Sequence, residues 1–193
     1  MRIAVLALQG AFIEHERMLQ SLGAETFEIR QERDWHQPMD GLVIPGGEST
    51  TMLKLLRDLN LLEPVRNAIA GGLPVFGTCA GLILLARKVV GQDFGRISTM
   101  NIEVCRNAYG RQLGSFYAED NVDGVGENVP MTFIRAPYIN EVYGDAKALS
   151  VVGGHIVAAK QNNQLVTAFH PELNDDTRIH AYFLQMVAEA MAK

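Results

Sequence analysis

The feature that most constrains this chain is the sequence Gly-Thr-Cys-Ala-Gly at residues 77–81, which lies between two apolar runs. Residues 73–77 are typical of a buried strand, and the leucine-rich run at residues 82–86 is typical of a helix. A sharp turn from strand to helix holds its central residue above the edge of a sheet, and flanking glycines leave room for the turn. Because a helix N-terminus also favours a thiolate, this pattern predicts that Cys79 is a nucleophile. The alternative is a buried cysteine that packs as a small apolar side chain.

The overall composition predicts one globular domain. Of the 193 residues, 48% are hydrophobic and 20% are charged, as expected of a single folded unit spanning residues 1–193. The net charge of −5 argues against nucleic acid or an anionic membrane as the main partner. Cys79 and Cys105 provide no disulfide framework. The apolar N-terminus is soon interrupted by charged residues, so we interpret it as a core strand and not as a signal peptide. We therefore expect a cytoplasmic protein.

The first half of the chain alternates between strand and helix patterns, and the second half is rich in strands. We predict strands at residues 3–8, 25–29, 42–44 and 73–77, with helices at residues 11–22, 49–59, 64–70 and after Cys79. We predict further strands at residues 101–105, 112–117, 131–134, 149–152, 155–160 and 164–169, and a closing helix at residues 176–191. This order indicates an α/β fold: a mixed, mainly parallel sheet with helices on both faces and an antiparallel region in the second half.

Three polar or glycine-containing segments follow predicted strands, at residues 9–10, at residues 45–50 and around Cys79. In sheets of this kind, ligands bind beyond the carboxyl ends of the strands. We therefore expect these segments to meet at one edge of the sheet and to form a site there.

A cysteine nucleophile needs a base, and His170 is the best candidate because it closes a predicted strand and is followed by Pro171 and Glu172. Extended residues two apart point the same way, so Glu172 is expected to hold one imidazole nitrogen while the other faces the thiol. The alternative is a histidine that bonds to the backbone at a strand end. We assign structural or surface roles to His15 and His180, which fall within helical patterns.

Acyl transfer also needs donors for a tetrahedral oxyanion. The backbone N–H of Ala80, directly after the nucleophile, is one candidate, and the turn at Gly46 and Gly47 offers the second. A phosphate cradle is a rival interpretation of residues 45–50, but the segment lacks the Gly-Lys-Ser/Thr ending of a P-loop. A third interpretation, a helix cap made by Glu48 or Ser49, is compatible with the first.

Taken together, these motifs resemble the class I, triad-type glutamine amidotransferases, which have a flavodoxin-like fold. The resemblance narrows to the glutaminase subunits of pyridoxal 5'-phosphate synthase and covers essentially the whole chain. It rests on residues 77–81 and on five further segments: Val-Leu-Ala-Leu-Gln-Gly-Ala at 5–11, Pro-Gly-Gly-Glu-Ser-Thr-Thr at 45–51, Arg-Asn-Ala-Tyr-Gly-Arg-Gln at 106–112, Phe-Ile-Arg-Ala-Pro at 133–137 and His-Pro-Glu-Leu at 170–173.

The resemblance implies that glutamine is hydrolysed to glutamate and ammonia, and that a synthase subunit uses the ammonia to build pyridoxal phosphate. It implies one glutaminase per synthase chain in a large ring complex and activation by docking. We expect no cofactor, and no metal site either, because the two cysteines and the scattered histidines lack ligand spacing. It makes Cys79 the nucleophile, His170 the base and Glu172 its orienting acid. The glutamine pocket it implies consists of Gly47, Glu48, Ser49, Arg106, Ile134 and Arg135.

Two points stay open from the sequence. Either Arg106 or Arg135 could hold the α-carboxylate of glutamine through a forked contact. The alternatives in function are a glutaminase that serves another synthase, such as imidazole glycerol phosphate synthase, and a cysteine peptidase of similar fold.

Overall fold

The computed structural model describes residues 1–106, 109 and 114–193. The strands are β1 (Arg2–Leu6), β2 (Glu25–Ile29), β3 (Gly41–Ile44), β4 (Val75–Thr78), β5 (Ala86–Val89), β6 (Met100–Cys105), β7 (Ser115–Val122), β8 (Gly126–Ile134), β9 (Tyr138–Val142), β10 (Lys147–Val152), β11 (His155–Gln161) and β12 (Gln164–Thr167). The helices are α1 (Phe12–Ser21), α2 (Ser49–Asp58), α3 (Leu62–Ala70), α4 (Ala80–Leu85) and α5 (Arg178–Met191).

The main sheet has the strand order β2-β1-β3-β4-β12-β11-β9-β6-β5, and β10 adds to β11. The pairings from β2 across to β12 are parallel, and β5 pairs parallel with β6. The strands β9, β10, β11 and β12 bring antiparallel pairings into the second half, and β7 and β8 form a separate antiparallel pair. This architecture confirms the predicted mixed, mainly parallel α/β sheet with a later antiparallel region.

The central strand β4 shows how helices cover both faces of the sheet. Phe76 is fully buried, and its ring lies 5.5 Å from that of His180 and 5.7 Å from that of Phe183, both on α5. The next residue, Gly77, faces the other way, where an added Cβ would lie 2.8 Å from Leu85 on α4. Because successive strand residues alternate between faces, α5 and α4 pack on opposite sides of β4.

Helix α2 forms because its apolar residues recur on one side and its first turn is capped. Met52, Leu53 and Leu56 are buried, and they repeat at the spacing of a single helix face. Glu48 is the N-cap, and its carboxylate accepts hydrogen bonds from the backbone N–H groups of Thr50 and Thr51. The cap fixes where α2 begins, and so it fixes the loop between β3 and α2, which forms one wall of the site.

The structure differs from the sequence prediction mainly in the second half. The strands β5 and β9 were not predicted, and β7 and β8 are longer than predicted, at 8 and 9 residues. The apolar run after Cys79 is a 6-residue helix that passes directly into β5, and the sequence has no glycine or proline at residues 82–89 to mark the change. The start of the predicted strand 112–117 falls partly outside the described residues.

Within the described residues, every helix is too short or too polar to cross a membrane.

Candidate active site

Cys79 lies at the tip of the turn between β4 and α4. Its backbone has φ 49° and ψ −100°, in the left-handed region that non-glycine residues rarely adopt. The strands on either side of β4 are β3 and β12, and the Cys79 N–H donates to the carbonyl of Thr167 at 2.9 Å. Cys79 is 7% exposed. A strained residue held by a sheet hydrogen bond, as here, is the local geometry expected of a nucleophile elbow.

The glycines around Cys79 are required by close backbone approach. A Cβ on Gly81 would lie 2.1 Å from the carbonyl oxygen of Ile44, the last residue of β3. A Cβ on Gly77 would lie 2.9 Å from the backbone of Gly81. Both contacts agree with the reason given for these glycines from the sequence, which was the lack of room beside the turn.

His170 and Glu172 form a buried pair beside the elbow. The Nδ1 atom of His170 is 2.6 Å from Oε1 of Glu172, and the Glu172 side chain is fully buried. The predicted reason for this pairing was wrong in one respect. The strand β12 ends at Thr167, and residues Pro171–Leu173 form a 3-10 turn, so the two side chains meet across a turn and not along an extended strand.

The position of Gly46 shows that Cys79 and His170 face one point. A Cβ added to Gly46 would lie 2.4 Å from Cε1 of His170 and 3.4 Å from Cβ of Cys79. Three segments therefore converge here: the loop after β3, the elbow after β4 and the segment after β12. This is the edge of the sheet at which the sequence predicts a site.

The electrostatics of the pair favour a protonated imidazole and an ionised carboxylate. Burial lowers the pKa of His170, but its interactions with Cys79 and Glu172 outweigh burial and raise that pKa to about 10. Burial raises the pKa of Glu172, but the neighbouring His15 and the hydrogen bond from His170 outweigh it, and the pKa lies below its usual range. The His170 ring can therefore hold a proton between the sulfur and the carboxylate.

The loop from Gly46 to Ser49 forms the second wall. The N–H of Glu48 donates to Oε1 of Gln9 at 2.8 Å, and a Cβ on Gly10 would lie 1.6 Å from the carbonyl oxygen of Gly46. The loops after β1 and β3 therefore touch through backbone. Ser49 is buried as the first residue of α2.

The Glu48 carboxylate caps helix α2 and is strongly held in its ionised form. Burial would raise its pKa, but the hydroxyl and backbone donors of Thr50 and Thr51 lower it to about 2. Oε1 of Glu48 also lies 3.3 Å from Nη2 of Arg106. The sequence interpretation of Glu48 as a helix cap is confirmed, and the same carboxylate places a negative charge on the wall of the site.

These residues surround an open cavity of about 500 Å³. Eight of the predicted site residues line it, namely Gly47, Glu48, Ser49, Cys79, Arg106, Ile134, Arg135 and His170. The other two stand outside the lining: Glu172 is buried behind His170, and Ala80 is buried as the first residue of α4. Sequence reasoning missed Ala11, Ile83 and Leu173, which also line the cavity. Each is apolar and lacks a chemical signal of its own.

Sequence reasoning also missed the surroundings of Glu172. His15 of α1 is completely buried, with Nε2 3.5 Å from Oε2 of Glu172. The surface alternative for His15 and His180 is wrong, because both rings lie in the interior.

Within residues 1–106, 109 and 114–193, no three histidine, cysteine or acidic side chains are grouped as a metal site requires.

Comparison with known proteins identifies relatives that match almost the whole chain. The model of the SNO glutamine amidotransferase family matches residues 5–189. The pyridoxal 5'-phosphate synthase subunit PdxT of Streptococcus pneumoniae (strain CGSP14) is 56% identical over 192 residues, which cover 98% of each chain. The PdxT of Streptococcus pneumoniae serotype 2 (strain D39 / NCTC 7466) is 55% identical over 192 residues, covering 98% of this chain and 99% of that one.

Two solved structures share the fold. The crystal structure of a glutamine amidotransferase matches with a TM-score of 0.90 at 40% identity, covering 96% of this chain and 98% of that one. A putative GMP synthase subunit protein from Thermoplasma acidophilum matches with a TM-score of 0.70 at 20% identity, covering 100% of this chain and 96% of that one. The second likeness concerns the fold alone.

Proposed function

The chain belongs to the SNO glutamine amidotransferase family, and we propose that Cys79, His170 and Glu172 form its glutamine-hydrolysing centre. Relatives 56% and 55% identical over almost the whole chain are pyridoxal 5'-phosphate synthase subunits PdxT. The chain is accordingly the glutaminase subunit that supplies ammonia for pyridoxal 5'-phosphate synthesis. The proposal for the site rests on the convergence of Cys79 and His170 on one point beside Gly46, within an open cavity.

The arrangement supports a two-stage acyl transfer. His170 accepts the Cys79 proton, and the sulfur bonds to the side-chain amide carbon of glutamine while an electron pair moves onto the amide oxygen. Collapse of this intermediate breaks the C–N bond, and His170 gives its proton to the departing ammonia. A water then loses a proton to His170 and attacks the thioester, the C–S bond breaks, the sulfur recovers the proton, and glutamate leaves.

Backbone N–H groups stabilise the oxyanion formed in both stages. Ala80 is the first residue of α4, so its N–H has no acceptor within the helix and is free to bind the developing charge. Gly47 lines the cavity and supplies the second N–H. Both groups carry the partial positive charge of a peptide dipole, so they favour the anion more than the neutral amide.

The α-carboxylate of glutamine binds to an arginine of the pocket, and Arg106 is the better placed. Its guanidinium lies 3.3 Å from the Glu48 carboxylate on the cavity wall, and this reach supports a contact with a carboxylate bound in the cavity. The described contact of Arg135 is made by its backbone N–H, which donates to the carbonyl of Gly114 at 2.5 Å.

Arg106→Gln is expected to raise the KM for glutamine by about 10- to 100-fold, the value of one charge-assisted contact. The kcat should change little, because binding is lost equally in the ground and transition states. Steady-state glutamate release measures both constants, with Arg135→Gln as the matched variant. A larger rise in KM for Arg135→Gln than for Arg106→Gln would assign the carboxylate to Arg135 instead.

The remaining parts of the proposal concern assembly and location. The relatives are named as synthase subunits, so the partner of this chain is a synthase subunit. We propose one glutaminase per synthase chain in a large ring, with residues 1–193 acting as one domain, because both halves of the chain line the cavity. The free thiols of Cys79 and Cys105 are consistent with a reducing, cytoplasmic compartment.

The function is tested by measuring glutamate and ammonia release from glutamine by this chain, with and without the synthase subunit. We expect release to rise when the synthase subunit is added, and pyridoxal 5'-phosphate to form with glutamine as the nitrogen source. The control is a mixture of glutamine and the synthase subunit without this chain, which should yield neither product. An absence of glutamate release in the complete mixture would contradict the proposal.

A further inference from the structure

The Glu172 carboxylate has two oxygens, and the mechanism uses one of them. Oε1 bonds to His170, whereas Oε2 is buried and has no hydrogen-bond partner within the described residues. Nε2 of His15 lies 3.5 Å from Oε2, and both side chains are fully buried. Because a buried carboxylate is costly unless donors surround it, the chemistry of the His15 nitrogen determines how firmly Glu172 is held.

His15 belongs to a chain of polar contacts that runs behind the active site. Its Nδ1 is 2.8 Å from Nε2 of His180 on α5, and its Nε2 is 3.2 Å from Oγ1 of Thr78, the residue before the nucleophile. Thr78 and His180 are also fully buried. One ring on α1 therefore touches the end of β4, the triad acid and the closing helix.

The contacts assign the protons of both rings. With Glu172 ionised, a bare Nε2 on His15 would direct a lone pair at a negative oxygen, so Nε2 carries the hydrogen, which bonds to Oγ1 of Thr78 at 3.2 Å and faces Oε2 at 3.5 Å. Nδ1 of His15 is then an acceptor, and His180 donates to it through Nε2. This leaves Nδ1 of His180 as a bare acceptor, which agrees with its lack of a partner among the described residues. A buried acceptor without a partner is better tolerated than a buried N–H.

We propose that His15 is a positioning residue for glutamine hydrolysis: its Nε2–H faces the second oxygen of Glu172 and stabilises the negative charge there, and His180 fixes the tautomer that makes this possible. The inference rests on the proposed function of the Cys79 site. His15 stays outside the cavity lining and acts through Glu172 on the orientation of His170.

Burial keeps His15 a neutral donor. Burial is the largest effect on the ring and, together with His170, it holds the pKa of His15 below its usual value, although Glu172 and Glu14 of its own helix raise that pKa. The pKa of His180, on α5, lies well below its usual value because of burial and the neighbouring His15. Two neutral rings can relay hydrogen bonds without placing a second positive charge beside His170.

The structure offers a matched pair of variants at residue 15. Glutamine carries its amide nitrogen as many bonds from Cβ as Nε2 of histidine, so His15→Gln keeps a donor facing Glu172. Asparagine carries its amide oxygen at the distance of Nδ1, so His15→Asn keeps an acceptor for His180 and loses the donor to Glu172. We expect His15→Asn to lower kcat by about 10- to 100-fold, as loss of an outer partner of an oriented imidazole does, with little change in KM. His15→Gln should recover most of the kcat.

Phe183→Leu is the control for packing. Phe183 is buried against Phe76, whose ring also contacts those of His15 and His180. This variant loosens the same cluster without touching Glu172, so it should lower the melting temperature and leave kcat near the value of the unchanged chain. All variants are assayed with the synthase subunit present. Equal kcat values for His15→Asn and His15→Gln would overturn the proposal, as would a loss of kcat in Phe183→Leu as large as in His15→Asn.

A measurement on the unchanged chain covers the case in which residue 15 variants do not fold. Two-dimensional ¹⁵N–¹H NMR of the imidazoles distinguishes the two neutral tautomers. We expect a protonated Nε2 and a bare Nδ1 for both His15 and His180; a bare Nε2 on His15 would overturn the proposal. Failure of the proposed function would look different, because the unchanged chain with its synthase subunit would then release no glutamate.

Discussion

Replacing Cys79 with alanine is expected to abolish glutamate release from glutamine, to below about one part in 10⁴ of the original rate, as removal of a catalytic nucleophile does. Without the sulfur, no thioester forms, and neither His170 nor the oxyanion donors can substitute for it. Synthesis of pyridoxal 5'-phosphate from ammonium salts by the complex should be unaffected, because added ammonia bypasses the glutaminase. Both rates are measured on the same complex, with glutamine or ammonium as the nitrogen source.

Cys105→Ala is the matched control for this prediction. Cys105 is the second free thiol of the chain and lies at the end of β6, outside the cavity lining. The variant should retain glutaminase activity, and alkylation by iodoacetamide should still inactivate it through Cys79. Glutamate release by Cys79→Ala at more than about one hundredth of the original rate would exclude the covalent mechanism. Loss of the ammonium-dependent rate in the same variant would indicate a failure of assembly instead.

The elbow around Cys79 could be predicted because its signal is local. Its glycines, its strand and its helix are contiguous in sequence, and close backbone contacts explain each glycine in the structure. The position of His170 could also be predicted, since an imidazole followed by a carboxylate at the end of an apolar run is distinctive. The loop after β3 followed from the rule that parallel strands present their carboxyl ends at one edge.

The less predictable features depend on contacts between distant residues. The strand β9 has only 5 residues, of which Ile139 alone is buried, so it lacks the alternating pattern of a half-buried strand and is held by pairing with β6 and β11. His15 occupies an ordinary helical position in the sequence, and its partners lie on β4, on α5 and in the turn after β12. The turn at Pro171–Leu173 could not be predicted from the sequence either. An extended segment would also have brought His170 and Glu172 together, so the expected pairing does not distinguish a turn from a strand.

Replacing Glu172 with glutamine is expected to lower kcat for glutamine hydrolysis by about two to four orders of magnitude, by analogy with the acid of a serine triad. The Glu172 carboxylate accepts a hydrogen bond from Nδ1–H of His170 at 2.6 Å, and it helps to raise the pKa of that ring. An amide removes the negative charge, so the His170 pKa should fall and the imidazolium formed after proton transfer loses its stabilisation.

The contacts around Glu172 make Glu172→Gln more harmful to catalysis than loss of the negative charge alone. If Nε2–H of His15 faces the second side-chain oxygen, the amide oxygen of Glu172→Gln turns toward His15 and its NH₂ group turns toward His170. Nδ1 of His170 then accepts a hydrogen bond, the proton moves to the nitrogen that faces Cys79, and the ring can no longer accept the thiol proton. Combining Glu172→Gln with His15→Asn removes this orientation, so the double variant should lose less activity than the two separate losses multiplied together.

Asp176→Asn is the matched control, since it makes the same chemical change on the same segment. The Asp176 carboxylate bonds to Arg178 at the start of α5 and stays away from the cavity, so the variant should keep its kcat. Steady-state glutamate release, with melting temperatures measured alongside, separates loss of catalysis from loss of folding. A different outcome would contradict the triad. If the kcat of Glu172→Gln lay within about threefold of that of Asp176→Asn, the Glu172 carboxylate would not act as the triad acid, because His170 would then keep its geometry without a negative charge at Nδ1.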